Sequence, residues 1–155
     1  MKSILALVVL LGGSAIGATH SISDAELSLG GVALGDTESQ VLAVLGPAPH
    51  QADTSEGLAL QYARFTVVVG WLEQQAPGKE RRVVQLTSTS PTICTPSKMC
   101  PGESISTIVA SHGQPISAKL ESGNFLEYYS SQSSCWLQLS TSGNTISAIS
   151  AVCAP

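Results

Sequence analysis

The stretch Leu34–Pro49, LGDTESQVLAVLGPAP, reads as a short helix with both of its ends marked. Thr37 is placed to cap the first turn, and Gln40, three residues on, is placed to reach back to the cap's own N–H. Glu38 puts a negative charge where the helix dipole favours one. Val41, Leu42, Val44 and Leu45 make an apolar face at helical spacing. Gly46 suits a C-terminal residue of positive φ, and Pro47 and Pro49 forbid continuation. The expected helix is therefore Glu38 to Leu45. An offset of 67 residues brings the same punctuation back in GESISTIVASHGQP, with Ser104 at the Thr37 position, Ile108 and Val109 at the Val41 and Leu42 positions, and Gly113 at the Gly46 position. A recurring pattern of this length predicts one unit used twice.

The rest of the chain is read around these two helices. After the first helix, His50 to Gly57 reads as a polar loop, and Leu58 to Arg64, Phe65 to Glu73 and Arg81 to Ser88 read as three antiparallel strands, rich in β-branched and aromatic residues. Thr89 to Pro101 reads as a junction. The second helix is expected over Ile105 to His112. Gln114 to Asn124 follows as a loop with room for a short strand, then strands at Phe125 to Ser130, Ser134 to Thr141 and Thr145 to Cys153. Ile22 to Leu29 reads as an irregular lead-in or short helix. The expected fold class is α+β: two tandem helix-plus-antiparallel-strand repeats, with the helices packed on one face of an antiparallel sheet. The expected divisions are a signal peptide at 1–18, a first repeat at 19–90 and a second repeat at 91–155.

The pattern Gly35, Thr37, Val41, Leu45, Gly46, Pro47, followed by a strand with an aromatic residue and two further strands, resembles the SmpA/OmlA family of BamE-like outer-membrane assembly proteins. Its tandem use resembles the β-lactamase inhibitory protein and its relatives. The resemblance implies a helix-on-sheet fold in an exported protein. Its functional implication is either a protein inhibitor or an envelope assembly factor.

Targeting points the same way. Lys2, an apolar run from Ile4 to Leu11 and small residues around Gly17 and Ala18 read as a secretory signal peptide, too short to span a bilayer. No cysteine stands at the cleavage position to carry a lipid, so the mature chain is expected in the periplasm or secreted, with no stable membrane anchor. The formal net charge is −4, and loss of Lys2 takes it to −5. There is no basic stripe, which argues against nucleic acid as a partner. The densest basic patch, Lys79, Arg81 and Arg82, is interrupted by Glu80 and reads as a solvated turn.

Four cysteines in an exported chain predict two disulfides, for which three pairings are formally possible. Cys94 and Cys100 close the small loop CTPSKMC. Cys135 and Cys153 flank a hairpin turning near Gly143 and Asn144, which sets Cys135 opposite Cys153, Leu137 opposite Ala151 and Leu139 opposite Ile149. The favoured pairs are thus 94 with 100 and 135 with 153. Spacings of 6, 35 and 18 contain no CxxC pair, so zinc and other metals are not expected.

Catalytic signatures of the usual patterns, G-x-S-x-G, H-E-x-x-H, a Walker loop and a dinucleotide fingerprint, are all missing from the sequence. No serine has both a histidine and an acid adjacent in sequence: His20 lies near the expected new N-terminus, His50 in a loop and His112 at a helix end, and Asp36, Glu38 and Glu103 sit at helix starts where capping explains them. No cofactor is expected. The functional expectation is instead a non-catalytic protein-binding module, an inhibitor or adaptor acting on an envelope or secreted protein. A BamE-like assembly factor and a small periplasmic enzyme or ligand binder are the alternatives. If Cys135, Leu137 and Leu139 face the helices, alternation turns Trp136, Gln138 and Ser140 to the open face. Aligning the two units adds Trp71 to that face, with Phe65, Val67 and Val69 beside it and Val68 and Leu72 toward the core. The candidate partner-binding residues are Trp71, Trp136, Tyr62, Tyr128 and Gln138. Oligomeric state is left open by the sequence.

Overall fold

The structure is a computed structural model that describes residues 20–71 and 79–154. The expected leader at 1–18, Leu72 and Glu73 of an expected strand, and most of the turn after them lie outside the described residues.

Both helices have the expected bounds. The first, α1 (Glu38–Leu45), carries the complete capping box: the Gln40 N–H donates to Thr37 Oγ1 and the Thr37 N–H donates to Gln40 Oε1, at 3.2 and 2.7 Å. The second, α2 (Ile105–His112), is capped by Ser104, whose hydroxyl accepts from the Thr107 N–H at 3.1 Å. Gly46 and Gly113 end them with φ of 76° and 83°, where any other residue is strained. At Gly113 a Cβ would also collide with the ring of His20.

The strands correct the expected architecture. A small hairpin, β1 (Ser28–Leu29) with β2 (Val32–Ala33), follows a 3-10 turn at Asp24–Glu26. Eight further strands form one antiparallel sheet: β3 (His50–Thr54), β4 (Gly57–Tyr62), β5 (Phe65–Gly70), β6 (Arg82–Ser88), β7 (Ile116–Leu120), β8 (Gly123–Tyr129), β9 (Cys135–Ser142) and β10 (Thr145–Cys153). Their order across the sheet is β3-β4-β5-β6-β10-β9-β8-β7. The protein is therefore not two helix-plus-three-strand α+β repeats. It is a predominantly β structure on a single continuous sheet, with two helices of 8 residues each.

The two sheet edges are β3, in the segment expected as a polar loop, and β7, in the segment expected as a loop with room for a short strand. In β3 (HQADT) all five residues are exposed and no apolar alternation is present; in β7 (ISAKL) Ile116, Ala118 and Leu120 alternate with Ser117 and Lys119, but four of the five residues are exposed and neither face is buried. They are held by pairing instead, Ala52 with Ala59 in one case and Ala118 with Phe125 in the other.

The connected core cluster lies on one side of the sheet. Leu60, Phe65, Val67, Val69, Val83, Leu86, Tyr128, Leu137, Leu139, Ile149 and Ala151 are buried there against Val41 of α1 and Ile108 of α2. Helices this short cannot cover eight strands. Leu27, Leu29 and Val32 of the lead-in complete the layer, with Met99 from the disulfide loop. The expectation that Phe65, Val67 and Val69 face outward with Trp71 is thus reversed: these three are 0–1% exposed in the core, and Val68 lies on the other side.

Each helix end is tied to the sheet by a tyrosine. Tyr62 donates its hydroxyl proton to the Gly46 carbonyl at 2.8 Å, and Tyr128 donates to the Gly113 carbonyl at 2.7 Å. In each helix one of the four carbonyls that a C-terminus leaves unpaired is so satisfied. Burial raises the phenol of Tyr62 above its usual range and pushes that of Tyr128 up to about 12.

Both disulfides are formed in the favoured pairing, Cys94–Cys100 and Cys135–Cys153. The last hairpin has the expected register, with Cys135 opposite Cys153, Leu137 opposite Ala151 and Leu139 opposite Ile149.

Two stability measurements check this account. Replacing Cys135 and Cys153 together by alanine frees an 18-residue separation and should lower the unfolding free energy by about 3 kcal/mol in urea titration. Tyr128→Phe, which loses one buried hydrogen bond, should cost about 1 kcal/mol at neutral pH. The sign with pH follows from the raised phenol: its protonated form stabilises the fold fully below the ordinary value of 10, and that contribution is lost as pH rises toward about 12. The wild type should therefore weaken more steeply than Tyr128→Phe across that alkaline range.

Candidate functional site

With the helices, the lead-in and the disulfide loop all on one side, no described helix or strand covers the other face of the sheet. Alternation from the buried set places Thr66, Val68, Gln85 and Thr87 on this face in the first half. In the second half it places Phe125, Glu127, Tyr129, Trp136, Gln138, Ser140, Ser150 and Val152 there, with Ile116, Ala118 and Leu120 along the β7 edge.

Cross-strand register sorts these side chains into rows. One row runs Gln61, Thr66, Thr87, Ser150, Gln138, Glu127, Ile116 across seven strands. At the seam between halves, the hydroxyls of Thr87 and Ser150 hydrogen-bond at 2.9 Å. Farther along, Glu127 accepts from Gln138 Nε2 at 3.0 Å and from the Tyr129 hydroxyl at 2.5 Å, one bond to each carboxylate oxygen. Glu127 is only 4% exposed, a buried carboxylate on a face that no other element covers.

The neighbouring row is aromatic. Tyr129 stands opposite Trp136, their rings stacked with centroids 5.5 Å apart and planes 23° from parallel. Tyr129 is 41% exposed. The Trp136 indole N–H is buried and has no hydrogen-bond partner among the described residues. An unpaired buried donor costs about 1–3 kcal/mol, so it marks a place where a partner group would be gained at little desolvation cost. The hydrogen bond to Glu127 is the first cause, and burial the second, of a Tyr129 phenol held above its usual range.

The other sequence-predicted residues fall elsewhere. Gln138 is on this face and belongs to the Glu127 network. Tyr62 and Tyr128 are on the helix side, bonded to the helix ends, and Tyr128 is fully buried, so neither is available as an anchor on the open face. Trp71 is 55% exposed just beyond β5, but it belongs to a local cluster: its Nε1 donates to the Lys79 carbonyl at 3.0 Å, and the Arg81 guanidinium lies 5.8 Å from its ring centroid. The structure brings Trp136 and Gln138 together and leaves Trp71, Tyr62 and Tyr128 out.

The alignment of Trp71 with Trp136 fails on turn length. Tyr62 pairs with Phe65 across a tight turn at Ala63 and Arg64, whereas Tyr128 pairs with Leu137 across the longer Ser130–Ser134 segment. Trp136 therefore enters its strand where Trp71 has already left its own. Tyr129 and Glu127 were missed for a related reason, since only the register of the β8–β9 hairpin sets them beside Trp136 and Gln138. A Tyr-Tyr pair inside a strand was the available signal, because one of two adjacent residues has to face outward.

Other chemistry-bearing residues do not assemble into a reactive group. Among the described residues no cluster of three His, Cys, Asp or Glu side chains could hold a metal. Ser97 lies 3.5 Å from His112 Nδ1, but its hydroxyl donates to Glu26 Oε2 at 2.6 Å. The acid holds the serine instead of orienting the imidazole, which is the reverse of what activating a nucleophile needs. A shallow cavity of about 270 Å³ at the β7–β8 edge is lined by Ser117, Lys119, Asn124, Phe125 and Thr141 and lacks a convergent set of acids and bases.

No family model matches the sequence, and no curated protein does. Two solved structures share the fold. An extracellular protein containing a SCP domain from Bacillus anthracis str. Ames superposes with a TM-score of 0.54 at 13% identity, covering 93% of this chain and 50% of that one. This chain thus spans about half the length of that protein. A DUF4309 family protein, YjgB, from Bacillus subtilis subsp. subtilis str. 168 gives a TM-score of 0.53 at 8% identity, covering 80% of this chain and 83% of its own. At these identities the likeness is one of fold. Neither bears the name of the SmpA/OmlA family or of the β-lactamase inhibitory protein.

The Glu127–Tyr129 bond has a spectroscopic consequence. Substituting Glu127→Gln removes the charge that disfavours the phenolate, so the Tyr129 titration followed by ultraviolet absorbance should move down toward the ordinary tyrosine range. A Tyr129 titration unmoved by Glu127→Gln would contradict the assignment.

Proposed function

We propose that this chain is an exported, non-catalytic protein-binding module, an inhibitor or adaptor that engages an envelope or secreted protein through the open face of its sheet. The observation that carries this reading is the Tyr129–Trp136 stack on that face, with a buried indole N–H that nothing in the described chain satisfies. Tyr and Trp on a hydroxyl-rich surface are the residue types that concentrate binding energy at protein interfaces. The fitting partner offers an apolar surface and a carbonyl or carboxylate acceptor for the indole. Two disulfides fit an oxidising compartment, the periplasm or the exterior, and the apolar leader read at 1–18 supplies the route.

The test compares three variants of the mature, oxidised protein in capture from envelope and culture-fluid fractions. Trp136→Ala and Tyr129→Ala should each reduce the captured partner at least tenfold, whereas Trp71→Ala, exposed and satisfied within its own cluster, should leave it unchanged. Capture that survives loss of both Trp136 and Tyr129, in variants with intact unfolding curves, would overturn the reading. Copurification with outer-membrane assembly complexes would move the assignment to an assembly factor.

A further inference from the structure

The carboxylate of Glu127 is the anomaly of the open face. It is 4% exposed, and its two hydrogen bonds come from neutral donors, an amide and a phenol. Among the described residues the ion pair formed is Arg81 with Glu38, and no described lysine or arginine pairs with Glu127. A buried carboxylate without a cation is costly, and two neutral hydrogen bonds offset only part of that cost. Each carboxylate oxygen carries two lone pairs, so two bonds leave about half of its acceptor capacity unused.

What covers the carboxylate is movable. The Tyr129 hydroxyl closes over one oxygen, yet Tyr129 itself is exposed to solvent. Rotation of Tyr129 toward solvent would open Glu127 while leaving Gln138 in place. Beside the opening lie a flat aromatic surface, Trp136, and its unpaired N–H donor.

We propose that Glu127 is the specificity residue of the open face and that it receives an arginine side chain from the partner. The guanidinium forks onto the carboxylate and stacks on the Trp136 and Tyr129 rings. A main-chain carbonyl next to that arginine accepts from the indole N–H. A planar cation fits better than an ammonium because it can hydrogen-bond in its plane while its face lies on an aromatic ring. This inference rests on the open face being the docking surface and deepens that reading by naming the chemistry that the partner brings.

The probe is N-acetyl-arginine amide, which carries the guanidinium and main-chain carbonyls without an extra charge. Titrated into isotopically labelled, oxidised protein, it should give saturable shifts of the Glu127, Tyr129 and Gln138 amides and of the Trp136 indole N–H. N-acetyl-norleucine amide, uncharged and of similar length, should give none at the same concentrations. Glu127→Gln, which keeps the side-chain shape, should weaken the arginine probe at least tenfold. Tyr129→Phe removes the hydroxyl that competes for the carboxylate but keeps the ring, and should bind the probe at least as tightly as the wild type, an effect that loss of packing would not produce. The proposal is overturned if Glu127→Gln binds the arginine probe like the wild type, if norleucine amide shifts the same resonances, or if no shift occurs at millimolar probe. If partner capture depends on Trp136 and the arginine probe is silent, this inference fails alone. If the probe binds and capture ignores Trp136, the docking reading fails and the guanidinium site stands.

Discussion

Three residue pairs hold the two halves of this sheet together. Ser88, Thr87 and Leu86 of β6 face Ile149, Ser150 and Ala151 of β10, and every other strand is reached by stepping outward from that seam. Its two faces are chemically different. On the helix side, Leu86, Ile149 and Ala151 are fully buried. On the other, Thr87 and Ser150 join hydroxyl to hydroxyl. The short seam thus commits the whole sheet to a single buried side, because a one-residue slip would turn these residues over. The uncovered face follows from that commitment.

How far this could be read in advance differed by element. Helix ends were legible because their signals are local and chemical: a hydroxyl cap, a glutamine three residues on, a glycine and a proline. The C-terminal hairpin was legible because two cysteines and an Asn turn fix its register. The edge strand β3 was not, since an edge gains its place from a neighbour's hydrogen bonds and needs no pattern of its own, and β7 was legible only as room for a short strand. These two edges changed the architecture from helix-plus-three-strand units to one eight-stranded sheet.

The candidate site was half legible. Alternation from Leu137 and Leu139 placed Trp136 and Gln138 correctly on the open face. Carrying Trp71 across by similarity failed because connecting turns of unequal length change which residues correspond. Tyr62 and Tyr128, attractive as aromatic anchors, satisfy helix carbonyls instead. Glu127 had no signal in composition or motif. Its interest lies in being buried without a cation, a property that exists only once neighbouring strands are in register.

The segment that begins at His20 has a consequence for how the molecule is made. Ile22 bridges to Ser130 and exchanges main-chain bonds with Tyr129 and Ser131, and Asp24 is held by Ser130, Gln132 and Ser133, in one case across 108 positions. Leu27, Leu29 and Val32 then roof the sheet. A chain synthesised with its amino end first cannot close this clasp until residues as far as Ser133 have appeared. Until then the apolar roof has only part of its floor to rest on, so synthesis and acquisition of the native state are ordered in time by topology alone.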